Sequence, residues 1–208
     1  MKSIQKYLPE LTDVQLKQIE QLGLLYKDWN QKVNLVSRKD IDNIYAHHIL
    51  HCFAIAKFVQ FKNGIEVLDL GTGGGLPGLP LAILFPKVTF TLIDARSKKI
   101  MVVNDIIQQL GLCNVKALHL RAEECKQKFD FILSRAVAKI ETLREWSYPL
   151  IKRKSQQALP NGLITLKGGD LKAELKALPK KAYYEKIAIL DYFKEPYFDE
   201  KFLVYLQL

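Results

Sequence analysis

The stretch richest in potential chemistry is Val67-Leu68-Asp69-Leu70-Gly71-Thr72-Gly73-Gly74-Gly75-Leu76-Pro77-Gly78. An apolar run carries an acid near its end and opens into a turn containing Gly71, Gly73, Gly74 and Gly75. Glycine admits φ > 0 and lets a ligand approach where a Cβ would collide, so such a turn can press its backbone against a small molecule. Asp94 closes the next apolar run, 19 residues after Gly75, where an acid can take the two hydroxyls of a ribose. A glycine turn packed for its own sake is the bland alternative; strand, glycines, helix, strand and acid in register argue against it. Residues 73–78 satisfy G-x-G-x-x-G, the dinucleotide fingerprint, but the charge of Asp69 would oppose a pyrophosphate docking on the turn. S-adenosylmethionine has no phosphate and carries an ammonium and a sulfonium, which a nearby carboxylate favours. The pattern predicts a site for that methyl donor at Asp69, Gly71, Gly73, Gly75 and Asp94.

A methyl donor needs an acceptor, and the end of the fourth predicted strand, Phe131-Ile132-Leu133-Ser134-Arg135-Ala136, is where one is expected. No Asn-Pro-Pro-Tyr stands there to orient an exocyclic amine, and no cysteine stands there to add to a pyrimidine. Cys113 and Cys125 flank the third strand and read as packing residues. Guanine N7 has an exposed lone pair and loses no proton on attack, so alignment alone can supply most of the acceleration. Arg135 suits that task because its guanidinium forks onto paired acceptors, with a rim salt bridge as the less favoured alternative. Lys167, at the end of the following strand, is expected to face the same rim and meet an RNA phosphate or the group that Arg135 holds. The catalytic expectation is therefore substrate positioning by Arg135 and Lys167, with no covalent nucleophile.

Alternating elements must hold these residues. Thr12 and Gln15 form a possible capping box ahead of Leu16, Ile19, Leu22, Tyr26, Trp29 and Val33, spaced as one helical face. Ser37 and Asp40 offer a second capping pair before Ile41, Ile44, His48, Cys52, Ile55 and Val59. Strands are expected at 65–70, 88–93, 115–120, 129–134 and 163–167, and helices at 79–84, 97–110, 140–151 and 171–178, with Gly111 as a C′ residue. Two last strands, 184–192 and 201–208, flank a loop with Pro196. The fold class is α/β, Rossmann-like: a mostly parallel sheet with helices on both faces and an antiparallel C-terminal hairpin. Residues 1–63 form a helical extension packed on the core, and 64–208 the donor-binding domain.

Composition narrows the partners. The 208 residues carry 31 Lys and Arg against 22 Asp and Glu, a net charge of +9, which favours an anionic partner. Arg38-Lys39, Lys98-Lys99, Lys152-Arg153-Lys154 and Lys180-Lys181 are the basic runs, and Lys152–Lys154 is the one expected to contact phosphate. No run approaches a membrane span and the N-terminus lacks a secretory pattern, so a cytoplasmic setting is expected. Three cysteines without a CxxC pair argue against disulfides and zinc. His47 and His51, four apart, can share a helical face, but no further ligand accompanies them; His48 lies on the apolar stripe as a hydrogen-bonded packing residue.

The chain resembles the RsmG (GidB) family of bacterial methyltransferases that modify guanine N7 in 16S ribosomal RNA. The resemblance rests most specifically on residues 69–82 with their Leu76-Pro77-Gly78, and also on Asp94 with Lys98-Lys99, Ala122-Glu123, Ser134-Arg135-Ala136 and Leu166-Lys167-Gly168. It implies S-adenosyl-L-methionine as cofactor, no metal, and 16S ribosomal RNA in the small ribosomal subunit as partner. It also implies that Gly71, Leu76, Asp94, Ala122, Glu123 and Arg135 surround the donor, with Ala122-Glu123 beside the adenine. One departure stands out: where the family often has His-x-x-Asp-Ser-Leu, this chain has His48-Ile49-Leu50-His51-Cys52-Phe53. A methyltransferase for a small molecule or protein, and a non-catalytic nucleotide-binding module, are the competing readings.

Overall fold

The computed structural model describes residues 1–208. Three helices come first: α1 (Lys2–Tyr7), α2 (Asp13–Lys32) and α3 (Leu50–Phe58). Helix α2 is entered through a closed capping box, with Thr12 Oγ1 accepting from the Gln15 N–H at 3.3 Å and Gln15 Oε1 from the Thr12 N–H at 3.1 Å. Helix α1 was not expected; Ile4 is its one buried residue, too little to generate a periodic stripe.

The second expected helix is less regular than its spacing suggests. A 3-10 turn, Ile41–Asn43, and a π-helical stretch, Ile44–Ile49, lead into α3. Ser37 and Asp40 do not cap it. Ser37 only accepts, through its carbonyl, the Asp40 N–H, while the Asp40 carboxylate turns to Asn43, His47 and His48. A π turn holds more residues than an α turn, so successive side chains diverge less. That is how two adjacent histidines reach one carboxylate.

The remaining elements are β1 (Glu66–Leu70), α4 (Gly78–Leu84), β2 (Thr89–Asp94), α5 (Ser97–Leu110), β3 (Val115–His119), β4 (Phe131–Arg135), α6 (Ile140–Ser147), β5 (Gly162–Gly168), α7 (Lys172–Lys176), β6 (Tyr184–Ala188) and β7 (Lys201–Gln207). Gly111 ends α5 at φ 61°, as expected. Helix α6 stops short of residue 151 because Pro149, which has no N–H to donate, turns the chain into the 3-10 segment Tyr148–Leu150. The strands form one sheet in the order β3-β2-β1-β4-β5-β7-β6. β1 to β5 run parallel, and β7 lies antiparallel between β5 and β6.

Alternate strand residues feed opposite faces, as the period of a strand requires. Val67, Phe90, Leu92, Phe131, Leu133 and Ile164 join a core that also takes Ile19, Leu22 and Tyr26 of α2 and most of α3. Leu68, Ile93, Ile132 and Leu163 join the core under α6. The N-terminal helices therefore share one core with the sheet. Arg135, two residues beyond Leu133, is aimed by the same alternation toward the face that carries them. The β1–β4 seam is the switch point of the sheet order, and the crevice outside its carboxyl ends is where an open α/β sheet receives ligands.

Candidate functional site

The seam is pinned at its outer end, where Ser134 Oγ donates to the Leu70 carbonyl at 3.1 Å, and the Thr72 N–H ties the following turn to β2 through the Ile93 carbonyl at 2.9 Å. Beyond it lies a cavity of about 760 Å³ whose wall includes Gly71, Gly73, Leu76, Asp94, Arg135 and Lys167. A smaller recess of about 150 Å³ adjoins it and shares Gly71, Asp94, Ala95 and Val137. Ile93, Leu120, Ala122, Glu123 and Trp146 are among its other lining residues.

Gly71 has φ 71° and Gly73 φ 58°, so both lie in the left-handed region that favours glycine. A Cβ on Gly71 would come within 2.6 Å of Val137 Cγ2, and both residues border both spaces, so a side chain at Gly71 would crowd the place where they meet. Gly75 is placed differently from the expectation. It is buried behind the turn, where a Cβ would strike Leu79 at 2.4 Å, and it does not line the cavity. Helix α2 braces the turn from behind: Tyr26 Oη donates to the Gly74 carbonyl at 2.7 Å.

Asp69 likewise does not reach the cavity. Fully buried, its Oδ2 accepts from Thr72 Oγ1 at 2.6 Å and from the Gly78 N–H at 2.8 Å. It ties the two ends of the glycine turn together instead of facing a ligand. Burial pushes its carboxyl up to about 6 despite those two hydrogen bonds. A strand residue beside a glycine turn can point forward or back, and the sequence holds no signal to choose.

Asp94 does face both spaces. The Gly73 N–H donates to Oδ2 at 2.9 Å, and Arg96 donates to Oδ1 through its backbone at 2.8 Å and its Nε at 3.2 Å. Burial opposes ionisation, but the Arg96 and Gly73 bonds outweigh it and hold the carboxyl below its ordinary range. It is ionised near neutrality and can accept from a ribose diol. An anionic acceptor at the crevice, a glycine rather than a bulkier residue where the two spaces meet, and a recess lined in part by Ile93, Leu120, Ala122 and Trp146 fit the ribose and adenine of S-adenosylmethionine.

On the other side Arg135 makes no salt bridge. Its Nη1 lies 3.4 Å from His48 Nδ1, and His48 Nε2 lies 2.8 Å from Asp40 Oδ2. A carboxylate only accepts, so Nε2 carries the proton and Nδ1 offers its lone pair to the guanidinium. Burial and the charge of Arg135 push the His48 imidazole down to about 4, which keeps that lone pair available. Ala136 follows in the left-handed region at φ 54°, rare for a residue with a Cβ, and turns the chain away directly after Arg135.

Lys167 lines the cavity, but its ammonium is committed: Nζ donates to the Ala138 carbonyl at 2.9 Å and pairs with Glu174 Oε2 at 2.8 Å. Burial opposes ionisation of Glu174, yet the Lys167 and Ile140 N–H bonds hold its carboxyl low. Lys167 thus anchors the β4–α6 loop to α7 and is not a free phosphate ligand. Lys152 is corrected outright. It sits at the amino end of the sheet, where it pairs with Glu66 and with buried Asp130 at 3.0 Å, remote from the crevice.

His47 and His51 do not converge. His47 Nδ1 bonds Asp40 Oδ1 at 2.6 Å and its ring stacks on Tyr197 at 3.8 Å, while His51 is buried in the cavity wall. No cluster of three or more His, Cys, Asp or Glu is placed to hold a metal ion. Buried Cys52 is pushed up to about 12 by burial, Cys125 is buried, and Cys113 is exposed rather than packed. Sequence reasoning singled out His51 without giving it a place in this site, and missed Arg96, Trp146, Tyr197 and Lys201. Of the missed residues only Arg96, two residues past Asp94, carried a local signal; the others reach the site from distant elements.

A family model described as rRNA small subunit methyltransferase G (GidB) matches residues 15–195. The chain belongs to this family. It is 52% identical over 206 residues to the ribosomal RNA small subunit methyltransferase G of Porphyromonas gingivalis, covering 99% of this chain and 92% of that one. It is 48% identical to that of Bacteroides thetaiotaomicron over all of both chains. Among solved structures, a SAM-dependent methyltransferase from Aquifex aeolicus superposes with TM-score 0.55 at 18% identity over 74% of this chain and 88% of that one. A mutant of MtNAS in complex with S-adenosylmethionine gives TM-score 0.60 at 11% identity over 99% and 76%. At such identities these two show the fold alone. The chain is a methyltransferase of the GidB family.

Proposed function

We propose that the protein transfers a methyl group from S-adenosylmethionine to N7 of one guanine in 16S ribosomal RNA, acting on the small ribosomal subunit in the cytoplasm. The bound donor supplies an electrophilic methyl on a positively charged sulfur. Gly71, Gly73, Leu76 and Asp94 hold its ribose and methionine ends, and Ala122 and Glu123 border its adenine. Glu123 is exposed and Ala122 half-buried, in keeping with a recess open on one side. Arg135 orients the acceptor guanine. Residues 1–63 complete the wall on the acceptor side through His48 and His51 and brace the glycine turn through Tyr26.

The observation that carries this reading is an arginine in the cavity wall without a carboxylate partner, its guanidinium steadied by a neutral imidazole. N7 alkylation removes no proton, and this site holds the His48 imidazole toward Arg135 rather than leaving it as a free base. A cation beside O6 favours guanine over adenine, whose exocyclic amine would present a donor there. No helix is long and apolar enough to cross a membrane.

The test is incubation with labelled donor and small subunits from cells lacking the activity, followed by mapping of the modified base. Incorporation at a single guanine is expected. Arg135→Ala should lower kcat/KM by roughly a hundredfold while donor affinity is unchanged. No incorporation into subunits or their stripped RNA would overturn the assignment.

A further inference from the structure

His51 lies in the first turn of α3, three residues after His48 and on the same wall of the cavity. It is 5% exposed, and neither ring nitrogen has a hydrogen-bond partner. A neutral imidazole carries one N–H and one lone pair, and leaving both unpaired out of reach of water is costly. Tyr197 and Phe198 pack against the ring edge-on, at 6.2 and 5.7 Å between centroids, and offer it no hydrogen bond. A leucine would meet the same neighbours without that cost. The ring is also uncharged: burial, Arg135, Lys201 and His48 all disfavour its protonated form.

One neighbour has a matching need. Lys201, the first residue of β7, lines the same cavity with an ammonium that makes no salt bridge and donates no side-chain hydrogen bond; it hangs 5.2 Å over the Tyr197 ring. His48 and Arg135 already form a neutral imidazole–cation pair one turn earlier. His51 and Lys201 lie against the same Tyr197 ring without bonding each other, and an unpaired imidazole and an unpaired ammonium so placed are the components of a second.

We infer that His51 is a positioning residue whose lone-pair nitrogen, unpaired in the free protein, seats the Lys201 ammonium when the acceptor nucleotide enters, so that Lys201 and Arg135 address that nucleotide from two directions. The inference rests on the proposed RNA guanine acceptor. His48 orients the Arg135 guanidinium at the base, and His51 orients the Lys201 ammonium at the O6 edge or the adjoining phosphate. His51 itself touches neither methyl group nor base.

The experiment is a double-mutant cycle of His51→Leu and Lys201→Met in the full-length protein. It is read by thermal unfolding, donor binding and methylation of undermodified small subunits. His51→Leu should keep or raise the melting temperature, by about 2–4 °C where the unpaired nitrogens cost about 1 kcal/mol, and leave donor affinity unchanged. Its kcat/KM for subunits should fall about tenfold or more, with little further loss when Lys201→Met is added. His51→Gln, which keeps an acceptor, should restore part of the loss. If the leucine chain does not fold, the same cycle is run with His51→Ala. Wild-type turnover in the folded His51 variant, or losses that multiply in the double variant, would overturn the inference. If the wild-type protein fails to methylate subunits, the functional assignment falls first, and the control separates the two failures.

Discussion

Each chemically important side chain here is defined by what it is bonded to. Asp69 does not line the cavity, yet one of its oxygens, Oδ2, closes the glycine turn by accepting from Thr72 and Gly78. Asp69→Ala leaves two buried donors unpaired, at roughly 1–3 kcal/mol each, and should lower both unfolding free energy and donor affinity. Asp69→Asn keeps an acceptor and should be milder; urea unfolding with a donor titration distinguishes the two. His48 makes a pH prediction. Its folded value is depressed to about 4 from 6.5, so as pH falls from 7 to 5 the unfolded ring takes a proton that the folded ring refuses. This contribution to stability is present above the unfolded value and is lost toward acid, by roughly 2 kcal/mol at pH 5. His51, also depressed, adds to the loss, whereas Asp69, raised to about 6, takes up a proton on folding and opposes it. A His48→Gln variant unfolded in urea at both pH values should show the smaller loss; an identical slope would mean that the ring titrates normally.

Elements place these bonds, and two of them are testable by backbone alone. Gly71→Ala demands a left-handed φ from a residue with a Cβ and drives that Cβ into Val137. Donor affinity should drop by at least about tenfold, with strain of roughly 1–3 kcal/mol in unfolding measurements. Thr12→Ala opens the α2 capping box far from the cavity and should cost about 1 kcal/mol of stability without changing donor binding. Features such as these were legible in the sequence because they are local. The Thr12–Gln15 pair, the glycine turn, Asp94 and the C′ Gly111 each announce themselves within a few residues. The 3.6-residue rhythm likewise anticipated where α2 and α5 lie. What stayed hidden depends on direction or distance. The π turn at Ile44–Ile49 keeps an apolar stripe that an α-helix would also satisfy. Asp69 faces back and not forward, and β7 slots between β5 and β6, carrying Lys201 to the cavity from the far end of the chain. Lys167 was correctly aimed at the rim, but its partner Glu174 lies across a turn that periodicity does not describe.

Over the whole molecule, the excess of +9 is spread, but its two ends do different work. At the amino end of the sheet Lys152 is consumed by Glu66 and Asp130, with Gln156 also donating to Asp130. At the carboxyl end the exposed Lys98 lies in the first turn of α5, four residues after Asp94. Exposed Arg38 and Lys39 lie between Leu35, which lines the cavity, and Asp40, which holds His48. On the proposed function, phosphates approaching the acceptor site are expected to meet the second group and not the first. Affinity for ribosomal RNA should fall by an order of magnitude or more between about 50 and about 200 mM salt, because each neutralised phosphate releases counterions. Arg38→Glu with Lys98→Glu should weaken binding and flatten that salt dependence, with melting temperature unchanged because neither side chain is buried. Lys152→Met should do the reverse. It leaves the fully buried Asp130 without its cation, costing roughly 2–3 kcal/mol of stability, and leaves both the affinity and its salt slope intact. A loss of RNA affinity in folded Lys152→Met would put an RNA contact at the amino end of the sheet, and with it a binding path that wraps around the edge of the molecule.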